Sequence, residues 1–279
     1  MTSIKEKQNE TQILKKQYAA RHCYNCAELF GVLSWICCIV IAIVPFIFEN
    51  DTTNSSAYLI ALLTVFEFSF DNICQWYIKI GAALRIYIDN YLFDFGEQEY
   101  YGEMSLNVLD YITNIVIHLH KKTYKKQIEN SETDKTRGVK DWYVFDESLT
   151  PYDAIKSCQL SNINYDSVIT KIHCILTISL IIGFIAAIFK ADNHGLLLCA
   201  FLSILIKIVN YIIDINRYNK CKKHIEHILS QIEVVEYNVE IAKKLQEAIN
   251  HRRQLNVVPF SFIYYGYLNL KEKICSDIN

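Results

Sequence analysis

The chain has 279 residues with a formal net charge of −2, and 52% of its residues are hydrophobic. That apolar share lies above the usual soluble range, and the near-neutral charge gives no reason to expect a DNA or RNA polymer as a partner. Three Pro and eight Gly leave few turns or helix breakers, so long helices are predicted.

Residues 1–26 are polar and carry five Lys or Arg, which predicts a cytosolic N-terminal helix and not a cleaved signal. Leu29–Phe48 follows without a formal charge and is long enough for a helix to cross the ~30 Å hydrocarbon core of a bilayer. A second apolar run begins at Ala57 and continues past Glu67 without a helix breaker. Residues 27–82 are therefore predicted to hold transmembrane helices 1 and 2, the second continuing into the cytosol.

A cytosolic insert is predicted over residues 83–167, and its polar stretch Lys121–Lys140 is interpreted as an exposed loop without periodicity. The apolar runs Ile172–Phe189 and Gly195–Ile213 predict transmembrane helices 3 and 4 within residues 168–214. The fourth run passes into a basic stretch with no Gly or Pro, so this helix is also predicted to continue into the cytosol.

Residues 215–279 form the predicted cytosolic helical tail. Positions in it recur at alternating steps of three and four, as in a seam that packs on another helix: Ile225, Ile228, Ile232, Val235, Val239, Ala242, Gln246 and Ile249. The seam either folds back on the chain's own helices, with a stripe in Leu109–Leu119 as a candidate partner, or joins subunits of a homo-oligomer. The aromatic stretch 256–268 fits a short strand or a packed coil.

Basic residues near the spans set the orientation. The tail after Asp214 has ten Lys or Arg, whereas the first connection, Glu49–Ser56, has none. Both termini and the insert are therefore predicted to be cytosolic. The predicted fold class is an all-α integral membrane protein with four transmembrane helices as two hairpins, a helical cytosolic insert and a C-terminal helical tail.

No catalytic signature is present among the common phosphate-binding, dinucleotide, metalloprotease or nucleophile-elbow motifs, so the chain is predicted not to be an enzyme. Cys23 and Cys26 form a lone CxxC without the second pair that a structural zinc site needs. Cys221, His224 and His227 share a helix face but lack an obvious fourth ligand. No metal, cofactor or disulfide framework is expected.

Two charges lie at membrane depth, Glu67 in the second run and Lys207 in the fourth. Charged groups there normally face a protein interior or a water path. Both residues are therefore predicted pore or gate residues. The alternative is that they lie at the cytosolic interface, with their charged ends in water.

The segment Arg137–Asp166 groups basic, aromatic and amide side chains in the insert. Cations suit phosphate, aromatic faces suit a nucleobase, and amides can read base edges. The predicted ligand-binding residues are Arg137, Lys140, Trp142, Tyr143, Gln159 and Asn162. The alternative is a cap whose Trp and Tyr pack at the level of the lipid headgroups.

The chain resembles the SMODS-associated four-transmembrane effectors over nearly its whole length. Short motifs in the right order relative to the spans carry this resemblance: Gln8-Asn9-Glu10, Leu14, Gln17, Ala20-Arg21 and Tyr24 before the first span, Gly138 to Tyr143 in the insert, and Ala154-Ile155, Cys158-Gln159, Asn162 and Asp166 ahead of the third.

The resemblance implies a pore-forming effector of prokaryotic anti-phage defence in the bacterial inner membrane. A cyclic oligonucleotide second messenger, made by a partner enzyme during infection, would switch an oligomer of such a protein to a form that disrupts the lipid bilayer. Two other functions stay open on the residues alone: a membrane enzyme acting on lipid or isoprenoid phosphates, and a membrane receptor or scaffold.

Overall fold

The structure, a computed structural model, describes residues 3–48, 54–131, 134, 137–146, 148–163, 175, 178–179, 181–183, 194–232 and 237–258. Over 194–203 it describes the backbone alone. The described part is mostly helical. Most of the third apolar run, and the aromatic stretch after residue 258, lie outside the described residues.

Three long helices carry the other predicted apolar runs. They are α2 (Thr11–Ile47), α3 (Ser55–Leu92) and α7 (His194–Ile232), and α2 and α3 are each long and apolar enough to cross a membrane. Neither α3 nor α7 ends with its apolar run, which confirms the prediction that each continues as one helix beyond it.

A short helix, α1 (Ile4–Gln8), precedes α2. Its first turn is closed by a reciprocal capping box, in which the Glu6 amide donates to the Ser3 hydroxyl at 3.3 Å and the Ser3 amide donates to the Glu6 carboxylate at 3.0 Å. These two bonds satisfy amide groups that the start of a helix leaves unpaired. The first 26 residues thus comprise α1 and the beginning of α2.

The insert contains a small β-hairpin that the all-α prediction missed. β1 (Tyr100–Tyr101) and β2 (Met104–Ser105) pair antiparallel around Gly102, whose φ of +63° favours glycine. Strands of two residues are too short to show an alternating pattern in the sequence. The hairpin leads into α4 (Leu106–Leu119).

The prediction of an exposed loop over Lys121–Lys140 is wrong for the first nine residues, which form α5 (Lys121–Glu129). Tyr124 and Ile128 pack against the hydrophobic core, while the lysines between them are exposed. Because only two apolar residues lie on the inward face of α5, the sequence shows too little hydrophobic periodicity to predict a helix there. A further helix, α6, follows at residues 151–163.

The tail seam lies on two helices that pack against each other, and its Val235 lies outside the described residues. α7 ends at Ile232, and α8 (Val239–Arg253) begins after Asn238, whose side chain accepts hydrogen bonds from two backbone amides at 3.1 Å. The buried residues that join the two helices are Ile225, Ile228 and Ile232 of α7 and Leu245, Ala248 and Ile249 of α8. The suggested partner stripe on α4 instead buries Leu109 and Val116 against α2 and α3.

The chain divides into two compact units. The first, called the head unit, comprises Met1–Cys26, Trp76–Tyr165 and Tyr218–Asn256; the second, called the apolar unit, comprises Ala27–Gln75, Asp166–Arg217 and Val257–Asn279. The described core of the apolar unit joins α2, α3 and α7 through Ile41, Val44, Ile60, Ile204 and Ile208. Its outward side chains are also apolar, among them Ile39, Val65, Phe68 and Ile206, as suits a surface in contact with lipid.

In the head unit, α2 and α3 approach closely because small residues lie between them. Ala19, Ala20 and Ala83 are buried in their shared core. A Cβ atom added at Gly81 would come within 3.0 to 3.2 Å of three atoms of the Tyr24 ring. The contact therefore depends on glycine for its space and not for its backbone freedom.

We expect Gly81→Ala to lower the melting temperature of the full chain in nanodiscs, and Gly81→Val to lower it further. A glycine-to-alanine change inside a helix usually stabilises by up to ~1 kcal/mol, but overpacking against a buried ring destabilises by about 1–3 kcal/mol. Gly183→Ala is the matched control, because its new methyl group would meet nothing within 4 Å. Equal melting temperatures for the two alanine variants would contradict this packing argument.

Candidate ligand-binding site

A buried carboxylate, Asp89 on α3, is the centre of a polar network in the head unit. Its side chain is 1% exposed. Its Oδ2 atom accepts from Arg253 Nη1 at 2.7 Å and from Gln246 Nε2 at 2.8 Å, both on α8, and its Oδ1 atom accepts from the Tyr143 hydroxyl at 2.8 Å. Three donors thus compensate the loss of water around this charge.

Helix α6 joins the network through two amide side chains. Asn162 donates from Nδ2 to the Tyr143 hydroxyl at 2.9 Å. The fully buried Gln159 donates from Nε2 to the Ala242 carbonyl at 2.9 Å and to Gln246 Oε1 at 3.0 Å, and it accepts from the Tyr237 hydroxyl. The protein therefore already uses the hydrogen-bonding capacity of Gln159.

The loop that carries Trp142 and Tyr143 is held by α1. Gln8, which is 1% exposed, accepts from the Tyr143 amide at 2.9 Å and donates to its carbonyl at 3.2 Å. Burial and the neighbouring charge of Asp89 raise the pKa of Tyr143. Its hydroxyl therefore stays protonated and serves as a donor to the carboxylate.

Trp142 stacks on a buried arginine of α3. The guanidinium carbon of Arg85 lies 3.7 Å from the centroid of the Trp142 ring, and that of Arg21 lies 5.5 Å away. Arg85 is 6% exposed, and its Nη1 atom has no hydrogen-bond partner among the described residues. A cation over an aromatic face is favourable, but a guanidinium presents five donors, so Arg85 retains unused capacity.

Among the residues that the structure describes, the charge balance around Asp89 is positive. Arg85 and Arg253 both interact electrostatically with this one carboxylate and with each other. Burial lowers the pKa of Arg85. Burial acts the same way on Arg253, but the Asp89 carboxylate outweighs it and raises the pKa. A buried cation beyond the number of paired carboxylates is suited to bind an anion.

Two further buried amides of the head unit have unpaired atoms. In the described structure, Gln17 on α2 has no hydrogen-bond partner for either atom of its side-chain amide. The Nδ2 atom of Asn90 on α3 has none either. Both residues are at most 5% exposed. Buried polar groups are nearly always paired, so these atoms are exceptions, as is the Nη1 atom of Arg85.

The structure brings four of the six predicted ligand residues together: Trp142, Tyr143, Gln159 and Asn162. Arg137 is half-buried, and Arg21 donates to its carbonyl at 3.3 Å and to that of Gly138 at 2.6 Å. Lys140 is exposed, and its amide donates to the Asn130 carbonyl at 3.1 Å. The ligand-binding role of all six stays a prediction.

Sequence reasoning missed Arg85, Asp89, Gln246 and Arg253. One signal was present: Arg85 and Asp89 lie one helical turn apart in the otherwise apolar stretch GAALRIYID. Two opposite charges at that spacing share one helix face. No local pattern connected either of them to Gln246 or Arg253.

The predicted gate residues meet in the apolar unit. Lys207 Nζ lies 2.5 Å from Glu67 Oε1, 3.2 Å from Asp71 Oδ1 and 2.6 Å from the hydroxyl of Ser34. The three carboxylate and hydroxyl partners come from α2 and α3, so the ammonium group of α7 ties three helices together. The side chains of Lys207 and Glu67 are 10% and 16% exposed, and we call this cluster the Lys207 clamp.

No group of three or more His, Cys, Asp and Glu side chains is placed to hold a metal ion in the part of the chain that the structure describes. His22 and Cys26 approach to 3.4 Å, and the His22 ring lies 4.3 Å from that of His120. Burial and the nearby His120 lower the pKa of His22.

Long apolar helices and a head unit with a buried, net cationic network define a helical membrane protein with a candidate anion site. The profile of the SMODS-associating 4TM effector domain matches residues 2–274, so the chain belongs to this family. The resemblance of the motifs is thereby confirmed, and the chain is an effector associated with SMODS signalling. Comparison with curated proteins and with solved structures gives no match.

We expect Asp89→Asn to lower the free energy of unfolding of the purified chain by about 3–5 kcal/mol, because it leaves buried arginine charge without its partner. Urea unfolding monitored by tryptophan fluorescence measures the change. Glu103→Gln is the control, since Glu103 pairs with Lys79 at 2.9 Å on the surface and is 71% exposed. Equal losses in both variants would show that the network does not support the fold.

Proposed function

We propose that the chain is a non-enzymatic membrane effector gated by a cyclic oligonucleotide. The ligand binds the polar network of the head unit, and the binding changes the membrane-crossing helices so that the inner membrane becomes permeable. The observation that carries this proposal is Arg85, a buried guanidinium that stacks on Trp142 and keeps an unpaired donor. Membership of a SMODS-associating effector family supports the class of ligand.

Arg85 suits a phosphate group and Trp142 orients it. A guanidinium offers planar paired donors to phosphate oxygens, and stacking on an indole fixes its plane. Because Arg253 already donates to Asp89, Arg85 is the cation available for an incoming anion. Trp142, Tyr143, Asn162, Arg137 and Lys140 then remain the proposed contacts around the nucleotide.

One helix gives the proposed site a route to the membrane. α3 carries Arg85 and Asp89, and the same uninterrupted helix carries Glu67 and Asp71 of the Lys207 clamp. A ligand shifts a conformational equilibrium only by its difference in affinity for the two states. A change in the partners of Arg85 would therefore act on a helix that also holds the clamp carboxylates.

We expect Arg85→Gln to weaken binding of a cyclic dinucleotide or trinucleotide about tenfold to a hundredfold. A hydrogen bond to a charged group contributes about 1.5–3 kcal/mol, and each 1.4 kcal/mol is a factor of ten in affinity. Titration calorimetry of the full chain in detergent measures this. Trp142→Ala should weaken binding similarly, since base or guanidinium stacking contributes about 1–3 kcal/mol.

The surface arginine Arg217, whose side chain is 65% exposed, provides the control as Arg217→Gln. The Arg85→Gln variant should lose affinity for the nucleotide but keep the melting temperature of the parent. The reason is that the substitution removes a buried charge that has an unpaired donor. If Arg85→Gln binds each probe as tightly as the parent, Arg85 is not part of a nucleotide site.

We propose that the Lys207 clamp holds the closed state, with Glu67 and Lys207 as gate residues. Lys207→Met should depolarise proteoliposomes in the absence of nucleotide, because Glu67 and Asp71 then lose the ammonium that joins them to α7. A potential-sensitive dye reports the change. Lys79→Met, which breaks an exposed ion pair with Glu103, should behave like the parent. If Lys207→Met gives the same dye signal as the parent, both with and without nucleotide, the clamp is not a gate.

A further inference from the structure

Helix α5 presents a face of four lysines. Lys121, Lys122, Lys125 and Lys126 are all exposed, and at 100° per residue they lie within about 140° of the helix circumference. The adjoining side is fixed to the head unit, where Tyr124 and Ile128 pack against the core and the Tyr124 ring lies 5.3 Å from that of Tyr18. The lysine face is therefore held outward by a packed helix.

These lysines differ from others in the same unit. Lys7, Lys16 and Lys79 each pair with a carboxylate, Asp94, Asp110 and Glu103 respectively. None of the four lysines of α5 has a carboxylate partner among the described residues. Glu129 lies on the same helix face, one turn after Lys125, so the face carries four positive charges and one negative charge. A surface of this net positive charge is suited to an anionic partner.

The start of α5 is tied to α2 close to its apolar run. His120, which precedes α5, packs its ring 4.3 Å from that of His22. Leu29, where the apolar run begins, follows His22 by seven residues on the same helix, which is about 10 Å of helix rise. Leu119, at the end of α4, is 69% exposed beside the first lysine.

We propose that the lysine face of α5 binds the anionic phospholipid headgroups of the membrane that α2 enters. Basic clusters next to a transmembrane helix are attracted to anionic lipid surfaces. Each Lys raises the affinity for such a surface roughly fivefold. A second copy of the chain fits this face poorly, because two such faces would bring eight lysines together. The interaction requires neither nucleotide nor gating, so it stands independently of the proposed function.

The test reconstitutes the full chain in phosphatidylcholine vesicles doped with a headgroup-photoactivatable phosphatidylglycerol. Peptide mass spectrometry after illumination should find lipid adducts on residues 119–129. The double variant Lys125→Gln/Lys126→Gln should reduce these adducts about tenfold or more, and raising the salt from about 0.05 to 0.5 M should reduce them in the parent.

Lys243→Gln/Lys244→Gln is the matched control, as an exposed adjacent lysine pair on α8, and it should keep the parent's labelling. Loss of labelling in the α5 variant without change in its melting temperature supports the proposal. Equal labelling by the phosphatidylcholine analogue, unchanged labelling in the α5 variant, or crosslinks to a second copy or to nucleic acid in place of lipid would overturn it.

Discussion

The head unit depends on the burial of one carboxylate. Moving an isolated carboxylate out of water destabilises a fold by several kcal/mol unless it is paired and hydrogen-bonded. Asp89 is accommodated because α8 supplies Arg253 and Gln246 and the insert loop supplies Tyr143. A single charge thereby requires α3, α8 and the loop to meet in one arrangement.

The two arginines of the same network differ in their hydrogen bonding. Arg253 is paired with Asp89, whereas Arg85 is satisfied on one side by the Trp142 ring and has an unpaired donor on the other. A protein interior rarely leaves buried donors unused. In the proposed function, Arg253 therefore supports the fold and Arg85 binds the ligand.

The long helices could be predicted because an apolar run of bilayer length is a local signal, and the absence of Pro from the stretch after each run extended α3 and α7 correctly. Helix α5 could not, because its inward face consists of only Tyr124 and Ile128. Trp142 and Tyr143 could be singled out by their side-chain chemistry, but their partners Arg85 and Asp89 could not be predicted. Asp89 and Arg253 are separated by 164 positions, and a pairing at that distance leaves no periodic trace in one sequence.

The unequal arginines also decide which of the two a phosphate would bind in the proposed function. An anion that binds Arg85 gains donors without breaking the bonds to Asp89. An anion that competes for Arg253 must leave Asp89 with one fewer donor, which costs more and would release α3. Because Arg85 is the unpaired group, the first route has the lower free energy. A phosphate at Arg85 therefore leaves the bonds of Asp89 intact, and in the proposed function the clamp opens through the change that this phosphate makes in the partners of Arg85.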